Sequence, residues 1–186
     1  NGIGEAFLLG EHFIDGDDVA LILGDNIFYG NDLANILVRS SDLKNPATIF
    51  AYNVDNPVDY GVVEISGSSV ISIEEKPKNP KSNFAVTGLY FYDASVIDIA
   101  KSMKPSDRGE LEITDINNVY LKDKILNVEL FGRGIAWLDT GSPQNLIEAG
   151  QFISTIQRRQ GLLVSCPEEI AFSKGYINES DLLRLS

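Results

Sequence analysis

Five consecutive apolar residues, Val19-Ala20-Leu21-Ile22-Leu23, stop abruptly at Gly24-Asp25-Asn26. A run that short cannot make a helix of its own, and its lack of alternation reads as a strand buried on both faces, as in a parallel sheet. The neighbouring segments fit that reading. Ahead of it, Ile3, Ala6, Phe7, Leu9, Gly10 and Phe13 fall at helical spacing, and Asp15-Gly16-Asp17-Asp18 supplies turn chemistry. Beyond it, Asp32 to Arg39 predicts a short helix carrying Leu33, Ile36 and Leu37 on one face, and Thr48 to Val54 a second buried strand. The α-β-α-β order predicts a doubly wound α/β fold with right-handed crossovers.

The middle of the chain changes character. Tyr60–Ile65 and Val70–Glu75 flank Ser66-Gly67-Ser68-Ser69 and read as a hairpin. After a loop punctuated by Pro77 and Pro80, Phe84 to Tyr92 predicts a long strand, Ser95 to Met103 and Ile113 to Leu121 helices, and Leu126 to Phe131 and Ile135 to Leu138 strands. Ser142 as N-cap, Pro143 in the first turn and Gly161 past the end frame the clearest helix, with Leu146, Ile147, Ile153 and Ile156 expected inside. A short strand over Leu162–Ser165 and a helix near Ser180–Leu185 complete the reading. The whole of 1–186 is expected to form a single domain, with about 162–186 as a C-terminal extension.

Composition narrows the function classes. With 15 basic and 27 acidic side chains the net charge is −12, which disfavours non-specific binding to nucleic acid. One cysteine, Cys166, and one histidine, His12, exclude a disulfide framework and a Cys/His zinc site. No apolar run approaches the ~20 residues of a membrane span, and the cytoplasm is the expected location.

Asp25 stands one residue past a strand end, where α/β sheets bind ligands, and a hard oxygen there suits Mg²⁺. Taken alone it reads more simply as a turn aspartate capping the next segment. Trp137-Leu138-Asp139-Thr140-Gly141 repeats the arrangement, and two such aspartates, with water and phosphate, make the usual incomplete cage for Mg²⁺. Leu138 to Ser142 also resembles the Asp-Thr-Gly-Ser signature of aspartic proteases, but a capped helix follows where a protease would continue in strand. Glu75 could accept hydrogen bonds from sugar hydroxyls, Lys76 and Arg108 could meet a phosphate, and Gly61 after Tyr60 admits close approach of a ligand.

The series LGDNIFYG (from Leu23), VDYGVVE (from Val58), EEKPKNPKSNFAVTGLYFYD (from Glu74), RGELEITDIN (from Arg108), GRGIAWLDTGSPQNLIEAGQFI (from Gly132) and RQGLLVSCPEEIAF (from Arg159) resembles the glucose-1-phosphate thymidylyltransferases. These are the short, thymidine-type branch of the sugar-nucleotide pyrophosphorylases. The resemblance implies a Rossmann-like, mixed but mainly parallel sheet flanked by helices, of the nucleotide-diphospho-sugar transferase type. It also implies transfer of a thymidylyl group from dTTP to α-D-glucose 1-phosphate, giving dTDP-glucose and pyrophosphate with the help of Mg²⁺. By that likeness Asp25 and Asp139 converge on one metal ion. Asn26, Tyr60, Gly61, Glu75, Val86 and Trp137 contact substrate, and Lys76 and Arg108 hold the sugar phosphate. A second, regulatory nucleotide site is expected at Tyr29, Gly30, Arg133, Ser165, Glu169 and Ile170.

Family members open with a strand and a Gly-rich loop that grip the nucleotide, and no such segment is found here. The expectation is therefore a fold incomplete on its N-terminal side, needing ~80 to 90 further residues, about half a domain, from elsewhere in a longer protein or from a separate chain. The alternative is a non-catalytic nucleotide-sugar-binding fragment. A homotetramer is the family's usual assembly.

Overall fold

The computed structural model describes residues 2–42, 45–67 and 69–185. It divides into two compact units, Asn1–Trp137 and Leu138–Ser186. The first carries α1 (Glu5–Leu9), α2 (Glu11–Ile14), β1 (Val19–Ile22), β2 (Asn26–Gly30), α3 (Leu33–Ser41), β3 (Ala47–Asn53), β4 (Gly61–Ser66), β5 (Ser69–Glu75), β6 (Phe84–Tyr92), α4 (Val96–Ser102), α5 (Ile113–Lys122) and β7 (Leu126–Phe131). The strand β8 (Ile135–Asp139) spans the boundary; α6 (Pro143–Gln160), α7 (Pro167–Ser173) and α8 (Glu179–Leu185) follow in the second unit.

The six-stranded sheet is organised around β6. Its Tyr92 faces Val19 of β1 on one edge and Ala47 of β3 on the other, and its Ala85 faces Val62 of β4 and Tyr52 of β3. Both of its faces are covered, so every residue after Phe84 is buried. On one face Val86, Tyr90 and Tyr92 pack with Phe7, Val96, Ile113, Ile116 and Tyr120. On the other, Leu89 and Phe91 join Phe50, Phe131, Ile135 and Ile36. Ring contacts fix both layers, among them Phe7–Tyr92 at 5.5 Å edge-on and Phe50–Phe131 stacked at 5.2 Å.

A mixed α/β sheet flanked by helices is what the sequence predicts, but parallel pairing does not dominate the described strands. Within the six-stranded sheet β3 and β7 run parallel, whereas β1–β6, β3–β6, β4–β5 and β4–β6 are antiparallel. Parallel neighbours need a long crossover, and the chain from β4 to α5 supplies it between β3 and β7.

The strand at Val19 is likewise not buried on both faces. It alternates half-buried with exposed, Ile22 being 58% exposed, because β6 is its one partner in the sheet among the described residues. The first predicted helix is two short ones broken at Gly10, with Leu9 and Phe13 exposed at 81% and 93% while Phe7 and Ile14 are buried. The β4–β5 hairpin forms as expected; Ser68 of its turn lies outside the described residues.

In the second unit, Ser142 accepts the Asn145 N–H at 3.2 Å and Gly161 ends α6 at φ +67°, as the capping residues predict. Leu146 and Ile147 are exposed rather than inside; Ala149 is the buried residue of this helix. Leu162–Ser165 is not a strand. Val164 donates its N–H to the Gln157 side chain at 2.9 Å and Ser165 is left-handed at φ +54°, so the segment folds back on α6. No helix among the described residues is long and apolar enough to cross a membrane.

Candidate functional site

The turn between β1 and β2 carries Asp25 on its exposed surface and Asn26 beneath it. Leu23 donates its N–H to Gly88 O at 2.9 Å, and Asn26 donates its N–H to Leu23 O at 3.1 Å, so the turn is tied to the middle of β6. The Asn26 side chain accepts from Gly88 N at 3.0 Å and from Trp137 Nε1 at 2.6 Å. Its own amide N–H donates to Asp25 Oδ1 at 2.8 Å. Trp137 in turn meets the Tyr60 ring at 5.2 Å and the Tyr52 ring at 5.9 Å, both edge-on. Asp25, Asn26, Trp137 and Tyr60, spread over the whole first unit in sequence, thus form one connected group.

A second group gathers at the end of β5. Thr114, buried at the start of α5, donates its hydroxyl to Glu75 Oε2 at 2.5 Å. Arg108 Nη1 lies 3.7 Å from Glu75 Oε1 and 3.5 Å from Glu112 Oε1, and Nη2 lies 3.5 Å from Glu110 Oε2. Gly61 opens onto the same space: a Cβ there would stand 3.3 Å from Thr114 Oγ1, 3.5 Å from Glu75 Oε2 and 3.7 Å from Val86 Cβ. Lys76 follows directly, exposed, with its N–H on Tyr60 O at 3.0 Å. Its φ of +42° is left-handed, a conformation that a non-glycine residue keeps only where its surroundings over-determine it.

The two groups share a neighbour. Burial pushes the Tyr90 phenol well above its ordinary range, and the nearby charges of Glu75 and then Asp25 push it further the same way. Gly61, Glu75, Lys76, Val86 and Arg108 are therefore one neighbourhood, and Tyr60 links it to Trp137, Asn26 and Asp25. Thr114, Gly88 and Glu112 belong to it but are absent from the sequence-based set. Glu112 stands four residues after Arg108, a spacing visible in the sequence.

The remaining candidates make contacts of their own. Asp139 ends β8 in the second unit and accepts the Gly141 N–H at 3.0 Å. Tyr29 and Gly30 end β2; a Cβ on Gly30 would come within 2.4 Å of Gly134 O, which places this strand end against the β7–β8 turn that carries the exposed Arg133. Ser165, Glu169 and Ile170 belong to the second unit, the last two in α7.

Residues 1–156 match the family model described as Nucleotidyl transferase. The chain belongs to the nucleotidyl transferase family. The aspartic-protease likeness at Asp139 ends there, and α6, 18 residues long, follows that motif directly. Among relatives of this nucleotidyl transferase chain, it is 49% identical to a glucose-1-phosphate thymidylyltransferase of Neisseria meningitidis across 100% of its own length and 65% of the relative's. It is 52% identical to the glucose-1-phosphate thymidylyltransferase of Xanthomonas campestris pv. campestris, covering 100% of the chain and 63% of that protein. A solved structure from Bacillus anthracis, described as a glucose-1-phosphate thymidylyltransferase in complex with sucrose, superposes with a TM-score of 0.74 at 43% identity. That superposition covers 82% of this chain and 61% of the other. The chain thus spans less than two thirds of the length of these relatives.

Proposed function

We propose that this chain supplies the sugar-phosphate side of an enzyme that transfers a thymidylyl group from dTTP to α-D-glucose 1-phosphate, releasing pyrophosphate and forming dTDP-glucose. The observation that carries the reading is the neighbourhood of Gly61, Glu75, Lys76, Val86 and Arg108, in a chain about half identical along its length to two thymidylyltransferases.

Each group has a task that follows from its chemistry. Gly61 lets Thr114 and Glu75 pack close against its backbone, and Glu75, steadied by Thr114, accepts hydrogen bonds from the hydroxyls of the sugar. Lys76 and Arg108 offset the charge of the sugar phosphate; Arg108 offers a planar fork and Lys76 a point charge. With two anions held together, an oxygen of the sugar phosphate attacks the α-phosphorus of dTTP in line, and pyrophosphate leaves. Positioning and charge neutralisation suffice, so no side chain needs to act as a covalent nucleophile.

Asp25 and Asp139 are the proposed Mg²⁺ ligands, and the donor set fits that ion. Both offer hard carboxylate oxygens, the ligand type that Mg²⁺ takes. An open cage completed by water and phosphate is the usual habit of Mg²⁺. When bound, the ion polarises the α-phosphate and offsets its charge. On the same reading the protein works in the cytoplasm as a homo-oligomer, a tetramer in the family pattern, and its product serves dTDP-rhamnose and polysaccharide synthesis.

The test is pyrophosphate release from dTTP and glucose 1-phosphate, run on the chain alone and with the nucleotide-gripping N-terminal segment expected from the resemblance. Turnover that needs both substrates supports the reading. A well-folded complex that binds dTDP-glucose without turnover favours the non-catalytic binding fragment instead.

A further inference from the structure

We propose that the carboxylate of Glu110 stands in for the sugar phosphate: it occupies the outer nitrogen of the Arg108 guanidinium, leaves when a phosphate arrives, and so sets the affinity of the site. The proposal deepens the reading of Arg108 as a phosphate-binding arginine and rests on it.

The three carboxylates around Arg108 are not equivalent. Nη1 faces Glu75 at 3.7 Å and Glu112 at 3.5 Å, and the Glu112 side chain is only 11% exposed. Each of these two has an anchor of its own. The Thr114 hydroxyl donates to Glu75, and the Ser106 hydroxyl donates to Glu112 Oε1 at 2.9 Å. Nη2 faces Glu110 at 3.5 Å, and that side chain is 42% exposed. Arg108 is the polar partner of this third carboxylate among the described residues. Of the three, Glu110 is the one that can leave without giving up a second contact.

The exchange is confined to one side chain, because the backbone around it is tied down. Gly109 donates its N–H to Ser106 O at 2.8 Å, Ser106 its N–H to Glu110 O at 2.8 Å, and Gly4 its N–H to Leu111 O at 2.9 Å. A change of Glu110 rotamer moves the carboxylate into solvent with the loop unchanged. Charge favours that move. Even with Lys76 counted, carboxylates outnumber cations here, so a phosphate monoester enters against a local excess of negative charge. Departure of Glu110 removes the excess and frees Nη2 as a donor, while Glu75 and Glu112 keep the planar fork in place. An exposed ion pair is weak enough to be exchanged in this way.

The test is calorimetric titration of the folded chain with α-D-glucose 1-phosphate at low and at high salt. Glu110→Gln keeps the size of the side chain and removes its charge. It is expected to bind the ligand about threefold more tightly at low salt, the scale of one exposed ion pair. The gain should shrink at high salt, where exposed charges are screened. A gain in affinity is a result that damage to the fold does not produce. Asp107, the exposed carboxylate next to Arg108 in sequence, makes none of these ion pairs, so Asp107→Asn should keep wild-type affinity. Unchanged or weaker binding by a folded Glu110→Gln, with binding weakened in Arg108→Ala, would overturn the stand-in role and leave the phosphate assignment intact. Equal gains in Glu110→Gln and Asp107→Asn would overturn it too, since general surface charge would then account for both. Wild-type affinity in Arg108→Ala, or no binding by the folded wild type, would remove the phosphate assignment and this inference with it. If Glu110→Gln does not fold, Glu110→Asp decides, because its shorter side chain reaches the guanidinium less well: tighter binding supports the proposal and unchanged binding overturns it.

Discussion

The hydroxyl of Thr114, on the first turn of α5, donates to Oε2 of Glu75 at the end of β5, 39 residues away in sequence. Because Thr114 is buried and its helix is packed into the core, the bond fixes Glu75 while Arg108 approaches its other oxygen. Thr114→Val preserves shape and removes the donor. It should weaken glucose 1-phosphate binding by about tenfold, as expected for a hydrogen bond to a charged group, with a cooperative thermal transition retained. Calorimetric titration with unfolding followed in parallel checks both halves of that statement.

Lys76 holds a left-handed backbone conformation at the junction of β5 and the following loop. Glycine adopts that conformation without a steric penalty. Lys76→Gly is therefore expected to stabilise the fold by about 1 kcal/mol while weakening sugar-phosphate binding, since the ammonium is gone. Urea unfolding and ligand titration of the same variant should move in opposite directions; a destabilised protein would show that the strain is not relieved at this residue.

Gly88→Ala forces a methyl group into the Asn26 amide. The variant should lose about 1–3 kcal/mol, the range for overpacking, and its emission should change, because Trp137 is the sole tryptophan and donates to that amide. Thermal unfolding and fluorescence spectra check this together. A neutral Gly88→Ala would contradict the packing described around Asn26.

Burial raises the phenols of Tyr90, Tyr92 and Tyr120 above their ordinary value. The folded state holds these three protons more tightly than the unfolded chain, where phenols titrate near pH ~10. Their contribution to stability is full below that pH and is lost as pH rises from there towards the folded-state values. In an alkaline titration, tyrosinate absorbance for these three should appear together with loss of far-UV circular dichroism. Ionisation of all seven tyrosines near pH ~10 with the fold intact would contradict the account.

Elements whose signals are local were readable in the sequence. Ser142, Pro143 and Gly161 frame α6 with their own side chains and backbone, and Phe84–Tyr92 is a strand at both predicted ends. The burial of Val19–Ile22 was not readable, because it depends on which strand lies next to it rather than on its own residues. The strand β2, Asn26–Gly30, has neither alternation nor length to signal it, and its partner β8 is more than a hundred residues away. The helix α7 did carry signals, Pro167 at its first turn followed by Glu168 and Glu169, beside an apolar run that reads as strand.

The candidate site divides in the same way. Glu75, Lys76 and Arg108 announce themselves as charged residues at a strand end and in a Gly-containing loop. Thr114 and Gly88 do not, since a hydroxyl and a missing side chain acquire meaning only when the fold brings Glu75 and Asn26 to them.

The central claim is that Gly61, Glu75, Lys76 and Arg108 form a sugar-phosphate site, and isothermal titration of this chain with glucose 1-phosphate tests it most directly. Saturable 1:1 binding, weakened at least about tenfold by Lys76→Ala and by Arg108→Ala, as for removal of one charge-assisted contact, is the predicted result. Binding that neither substitution affects, or no binding to a folded chain, would contradict it.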